Sequence, residues 1–135
     1  VPEGIATTAG FTDGVARTEA GTPIVPAALT DLLVRLRDDY GELPLLITEN
    51  GAVFPEPVHD ERRIRFLHDH VAAVHSAIGQ GVPVVGYCHW SLLDNFEWGR
   101  WEPTFGLVAV DRDTFERQPK PSLAWLGAIA RANAL

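Results

Sequence analysis

Two short unbroken apolar runs, Leu45-Leu46-Ile47 and Pro83-Val84-Val85-Gly86-Tyr87-Cys88, constrain this chain more than anything else in it. Both are strand-length and lack polar alternation, the pattern of strands covered on both faces. Between them Ile64, Leu67, Val71, Val74 and Ile78 recur at helical spacing, a one-sided amphipathic stripe. Asp60 is the expected N-cap of that helix, and Gly79 and Gly81 close it. A strand, a crossover helix and a second buried strand make a right-handed parallel unit. An earlier helix opens at Pro26, aligns Leu29, Leu32, Leu33 and Leu36, and stops at Gly41. The order helix, strand, helix, strand places the chain in the α/β class.

The remainder is less regular. Val1 to Thr22 is small, polar and glycine-rich and reads as loop. Residues 91–104 form a long irregular loop, Phe105 to Val110 reads as extended, and Ser122 is the expected cap of a last helix carrying Leu123, Leu126 and Ile129. Two strand–helix units are about a quarter of an eight-unit barrel. With Val1 as its first residue, the chain therefore reads as part of a larger fold.

Composition removes several classes of function. The formal charge of −7 over 135 residues argues against nucleic acid, whose phosphates demand clustered Lys and Arg. No apolar run approaches the roughly 20 residues of a membrane-spanning helix. Cys88, the single cysteine, has no internal disulfide partner and reads as a small buried residue of the second strand. The first residues carry no basic segment followed by an apolar one, which points to a cytoplasmic location.

Parallel α/β folds gather their reactive groups at the carboxyl ends of strands. The first strand end presents Glu49. The second presents Trp90, then Asp94, Asn95, Phe96, Glu97 and Trp98. Carboxylates beside tryptophans suit carbohydrate: ring faces pack on sugar C–H groups, and the acids accept hydrogen bonds from hydroxyls. Each residue also has a plainer reading. Glu49 suits a solvated loop, Asp94 and Asn95 suit Asx turns, and the tryptophans suit core or interface anchors. His68, His70 and His75 share one helix without the i, i+4 pair of zinc helices, so they read as solvated; His89 reads as packing at a strand end.

Leu46-Ile47-Thr48-Glu49-Asn50-Gly51, followed by Trp90-Ser91-Leu92-Leu93-Asp94-Asn95-Phe96-Glu97-Trp98, resembles glycoside hydrolase family 1, the retaining β-glucosidases. Phe105-Gly106, Val110-Asp111 and Lys120-Pro121-Ser122 are similar to the end of that family. Within residues 1–135, taken as one piece of a single domain, residues 1–22 are a loop region and 23–135 the family-like part. The resemblance implies a (β/α)₈ TIM barrel, of which the chain is the C-terminal portion. Leu45–Thr48 would be barrel strand seven and Val84–His89 strand eight.

The resemblance further implies that Glu49 is the catalytic nucleophile and Trp90 the platform beneath the sugar in the −1 subsite. It gives Glu97 the sugar's 4- and 6-hydroxyls, Trp98 the 3-hydroxyl through its indole N–H, and Phe105 an aromatic place in the same pocket. It implies no metal and no cofactor. The stretch Gly99-Arg100-Trp101-Glu102-Pro103-Thr104 departs from the family's pattern, with Trp101 read in place of a tyrosine.

The implied activity is hydrolysis of terminal β-D-glycosidic bonds by double displacement, on glucosides and also galactosides or fucosides, in carbohydrate metabolism such as cellulose degradation. That chemistry needs a second, protonated carboxylic acid about 5–5.5 Å from the nucleophile. The family takes it from an Asn-Glu-Pro motif, and this chain contains none. The expected partners are a β-glucoside or related saccharide and the remaining N-terminal part of the barrel, with neither nucleic acid nor membrane. The alternative is a non-catalytic piece that binds sugar or only completes a barrel.

Overall fold

The computed structural model describes residues 14–135, so the loop reading of residues 1–13 lies outside the described residues. The elements run α1 (Pro26–Tyr40), β1 (Leu45–Asn50), α2 (Glu61–Gly79), β2 (Val84–His89), β3 (Val108–Val110), β4 (Arg117–Pro119) and α3 (Pro121–Ala132). β1 and β2 pair in parallel across α2, as the two apolar runs require. Leu33, Val74, Ala77 and Val82 form the main core, and Leu45, Ile47, Val84 and Tyr87 pack on it from the sheet. Burying an aliphatic side chain of this size contributes about 1.5–3 kcal/mol. This one core therefore holds both helices to one face of the strand pair.

Several expectations change. Neither strand is covered on both faces: Leu46 and Val85 are 54% and 67% exposed, and Cys88 is exposed rather than buried. Their side chains turn away from the core, onto a face that no described element covers, and a register shift opposite Val85 lets both Val84 and Tyr87 face the core. The buried face of α2 comprises Arg63, Phe66, Leu67, His70, Ala73, Val74 and Ala77, while Ile78 is exposed. The helix packs against both α1 and α3, so its buried sector is wider than the predicted stripe and turned from it. His70 is accordingly buried, not solvated, with Nδ1 bonded to the Phe66 carbonyl at 2.7 Å. Burial pulls its pKa below the ordinary histidine value, against the opposing carbonyl bond.

Of the two capping expectations, Asp60 holds in position only and Ser122 fails. Asp60 occupies the N-cap of α2, but its side chain makes no cap bond, and Ser122 lies inside α3 rather than at its cap. The two meet in the interior, where Ser122 Oγ donates to Asp60 Oδ2 at 2.5 Å. In the extended segment after Phe105 only Val108–Val110 is strand. It pairs antiparallel with β4, an element without a hydrophobic signal of its own.

Candidate active site

The site is assembled at the carboxyl ends of β1 and β2. β1 runs through Asn50, so Glu49 is a strand residue and not the first residue of a loop. Register with β2 sets Asn50 opposite His89, and the Trp90 N–H donates to the Asn50 carbonyl at 3.1 Å. The Asn50 side chain accepts from the Tyr87 hydroxyl at 2.7 Å. Gly51 follows because nothing larger fits: a Cβ there would stand 1.8 Å from the Trp90 carbonyl oxygen. The two strand ends are thus pressed together, which brings Glu49 and Trp90 to one opening. The Trp90–Ser91 peptide is cis.

Glu49, Asn50, Gly51, Trp90, Phe96, Glu97, Trp98 and Phe105 line one cavity of about 580 Å³. All five sequence-identified site residues are among them. Glu97 is only 8% exposed and accepts a 2.8 Å hydrogen bond from the Trp90 indole N–H. A tight turn holds it. The Glu97 N–H bonds the Arg100 carbonyl and the Arg100 N–H bonds back, with Trp98 (φ 47) and Gly99 (φ 89) between them. Two consecutive positive φ values are what a primed two-residue turn requires, and glycine meets that demand at the second position. Trp98, at the first, is 99% exposed on the rim. Glu49 is exposed, and among the described residues its carboxylate has no hydrogen-bond partner.

Around these residues lies a polar framework; Asp94 shapes its loop as expected, but through distant partners rather than its own turn, and those partners have no signal in the sequence. The Asp94 carboxylate binds the Gly106 N–H at 2.7 Å and Lys120 Nζ at 2.9 Å, shaping the 91–104 loop. Burial pulls the Lys120 pKa down, and Asp94 opposes the shift. Gly106 is again a close approach, since a Cβ there would meet the Asp94 backbone nitrogen at 2.2 Å. His89 Nε2 bonds the Phe105 carbonyl at 3.1 Å, and burial drops the ring's pKa to about 4. It is therefore a neutral imidazole at pH 7, and Nε2 carries the proton, because a carbonyl can only accept. Arg63 and Asp60, both wholly buried, complete the framework. The signal for them was a charged pair three residues apart at the start of a helix with an apolar face, and it reads equally as a surface pair.

Parallel strands thus bring two carboxylates, one of them indole-bound, and four aromatic residues to one opening. The family model described as glycosyl hydrolase family 1 matches residues 5–135, and the chain belongs to that family. It is 44% identical over 119 residues to a bifunctional β-D-glucosidase/β-D-fucosidase of Bifidobacterium breve, covering 80% of this chain and 26% of that protein. It is 39% identical over 126 residues to β-glucosidase A of Thermotoga maritima, with 88% and 28% covered. A solved family 1 β-glucosidase from Thermotoga maritima superposes with a TM-score of 0.86 at 38% identity, over 90% of this chain and 29% of that one. Another structure of the Thermotoga enzyme, in complex with deoxynojirimycin, also gives a TM-score of 0.86. The chain spans less than a third of the length of these relatives. It is an α/β portion of a (β/α)₈ barrel, with the C-terminal strand pair of the fold.

Proposed function

We propose that this chain supplies the nucleophile and half of the glycone pocket of a retaining β-glucosidase, active on β-glucosides and related β-glycosides within a complete barrel. The observation that carries this reading is the single cavity shared by Glu49, Trp90, Glu97, Trp98 and Phe105. In the first displacement the Glu49 carboxylate attacks the anomeric carbon and the bond to the leaving oxygen breaks. That oxygen takes its proton from a carboxylic acid contributed by the part of the barrel outside these residues. Water then attacks the glycosyl ester, giving its proton back to the same acid and releasing Glu49.

Each pocket residue has a matching task. Trp90 spends its indole N–H on Glu97, so it offers the sugar a ring face rather than a donor. The second Glu97 oxygen has no protein partner among the described residues, and it suits a sugar hydroxyl as donor. Trp98 keeps its indole N–H exposed on the rim, available to a further hydroxyl. Support comes from the family relation and from the sugar-like inhibitors bound by the structurally similar Thermotoga enzyme.

Glu49→Gln tests the assignment in the complete barrel. It preserves shape but removes the attacking charge, so the Kd of a glycone inhibitor should stay within a few-fold while kcat falls by several orders of magnitude. Azide added to Glu49→Ala should restore turnover and yield a product of inverted configuration, because one displacement replaces two. Wild-type turnover by Glu49→Gln would remove Glu49 from the mechanism.

A further inference from the structure

Arg63 lies on α2, away from the cavity, yet its guanidinium holds the backbone on both sides of the site. Nη1 donates to the Ala52 carbonyl at 2.8 Å and to the Phe105 carbonyl at 3.0 Å, and Nη2 donates to the Thr104 carbonyl at 2.8 Å. Nε binds Asp60 Oδ2 at 3.0 Å, and Asp60 is fixed in turn by the N–H and Oγ of Ser122 on α3. Ala52 stands three residues after Glu49. Phe105 lines the far side of the cavity, and its carbonyl also receives His89 Nε2 and the Ser91 N–H. One planar fork therefore sets the spacing between the segment that carries the nucleophile and the segment that carries the pocket's aromatic wall.

We infer that Arg63 is a positioning residue for the glycosidic step: it fixes the distance from Glu49 to the sugar that the opposite wall holds. The inference rests on the glycosidase reading. Among the described residues Arg63 makes no hydrogen bond to Trp90, Glu97 or Trp98, to which the proposed function gives glycone contacts. Its loss should therefore act on attack geometry more than on ground-state binding. A misplacement of about 1 Å costs on the order of 100-fold in rate.

Arg63→Lys keeps the charge but cannot span three carbonyls and a carboxylate together. In the complete barrel it should lower kcat about 30-fold, leave KM within threefold, and leave the pH profile unchanged. Arg63→Ala should lose more and recover part of its kcat with millimolar guanidinium. Independently of turnover, amide hydrogen exchange should quicken at Ser91 and Leu107, whose N–H groups bracket the Phe105 strap, and stay unchanged in α1. A folded Arg63→Lys protein with wild-type kcat would overturn the inference. So would a loss of activity that tracks the unfolded fraction alone, measured by thermal melting at the assay temperature. A wild-type barrel that hydrolyses no β-glucoside would defeat the glycosidase reading instead. The exchange rates then decide alone whether Arg63 holds the two segments, and unchanged rates would reject it.

Discussion

Glu97 shows how one residue's surroundings set what the pocket accepts. It is nearly buried, indole-bonded on one oxygen, and pinned by the Trp98-Gly99 turn. A carboxylate placed this way accepts hydrogen bonds from neutral hydroxyls; with the sugar's 6-hydroxyl beside it, as the family resemblance implies, a phosphate there would set like charges close together in a partly desolvated space. The complete barrel should therefore hydrolyse β-glucosides at least tenfold faster, by kcat/KM, than their 6-phosphates; a preference for the phosphate would count against this placement of Glu97. Gly51 is as tightly constrained by sterics. An added methyl collides with the Trp90 carbonyl, a backbone atom with little room to retreat. Gly51→Ala should fold but displace Trp90, weakening a glycone-sized iminosugar inhibitor at least tenfold in a calorimetric titration. Overpacking of this kind costs about 1–3 kcal/mol.

At the scale of elements, the two strand ends and their motifs were legible because a parallel strand announces itself as an unbroken apolar run and its end by the first polar residues. What the helices do was less legible. Apolar spacing alone gives the predicted stripe on α2, but the helix also buries Arg63 and His70, which only the packing of α1 and α3 around it reveals. Asp60 and Ser122 look like caps in sequence because caps and buried polar pairs use the same residue types. They differ only in a contact made 62 residues away. The hidden histidines have a measurable consequence. His89 sits at about pKa 4 when folded, with burial and Arg63 disfavouring its charge and Asp60 and the Phe105 carbonyl favouring it. Unfolded, it titrates near 6.5. Between those values the unfolded chain binds the extra proton, so stability is full above about pH 6.5 and is lost as pH falls toward 4, at up to about 1.4 kcal/mol per unit. His70 is shifted in the same direction and adds to the effect. Melting temperature in the complete barrel should fall across that window, and His89→Gln should flatten the fall without abolishing it. An unchanged slope in His89→Gln would mean that His89 is already protonated in the fold.

The described residues form a core with one open face. α1, α2 and α3 lie together, and Leu33, Val74, Ala77 and Val82 close the interior behind the strands. In front, β1 and β2 form a two-stranded sheet with Leu46, Val85 and Cys88 exposed, and each strand keeps one edge unpaired among the described residues. Unpaired edges and bare apolar side chains are templates for association. A strand pair covered on one face also lacks the closure that gives a parallel barrel its stability. The 135 residues on their own should therefore self-associate or stay loosely packed, binding a hydrophobic dye and sedimenting as more than a monomer. They should show no glycosidase activity, because the proposed function gives Glu97 to sugar binding, and besides Glu49 and Glu97 no carboxylate among the described residues lines the cavity to protonate a leaving group. Adding the complementary part of a family barrel should protect the β1–β2 amides from exchange, abolish dye binding and bring turnover with it. A monodisperse, sharply melting monomer would show instead that the strand pair finds cover within its own chain. Activity in that monomer, dependent on Glu49, would place the missing acid among these 135 residues.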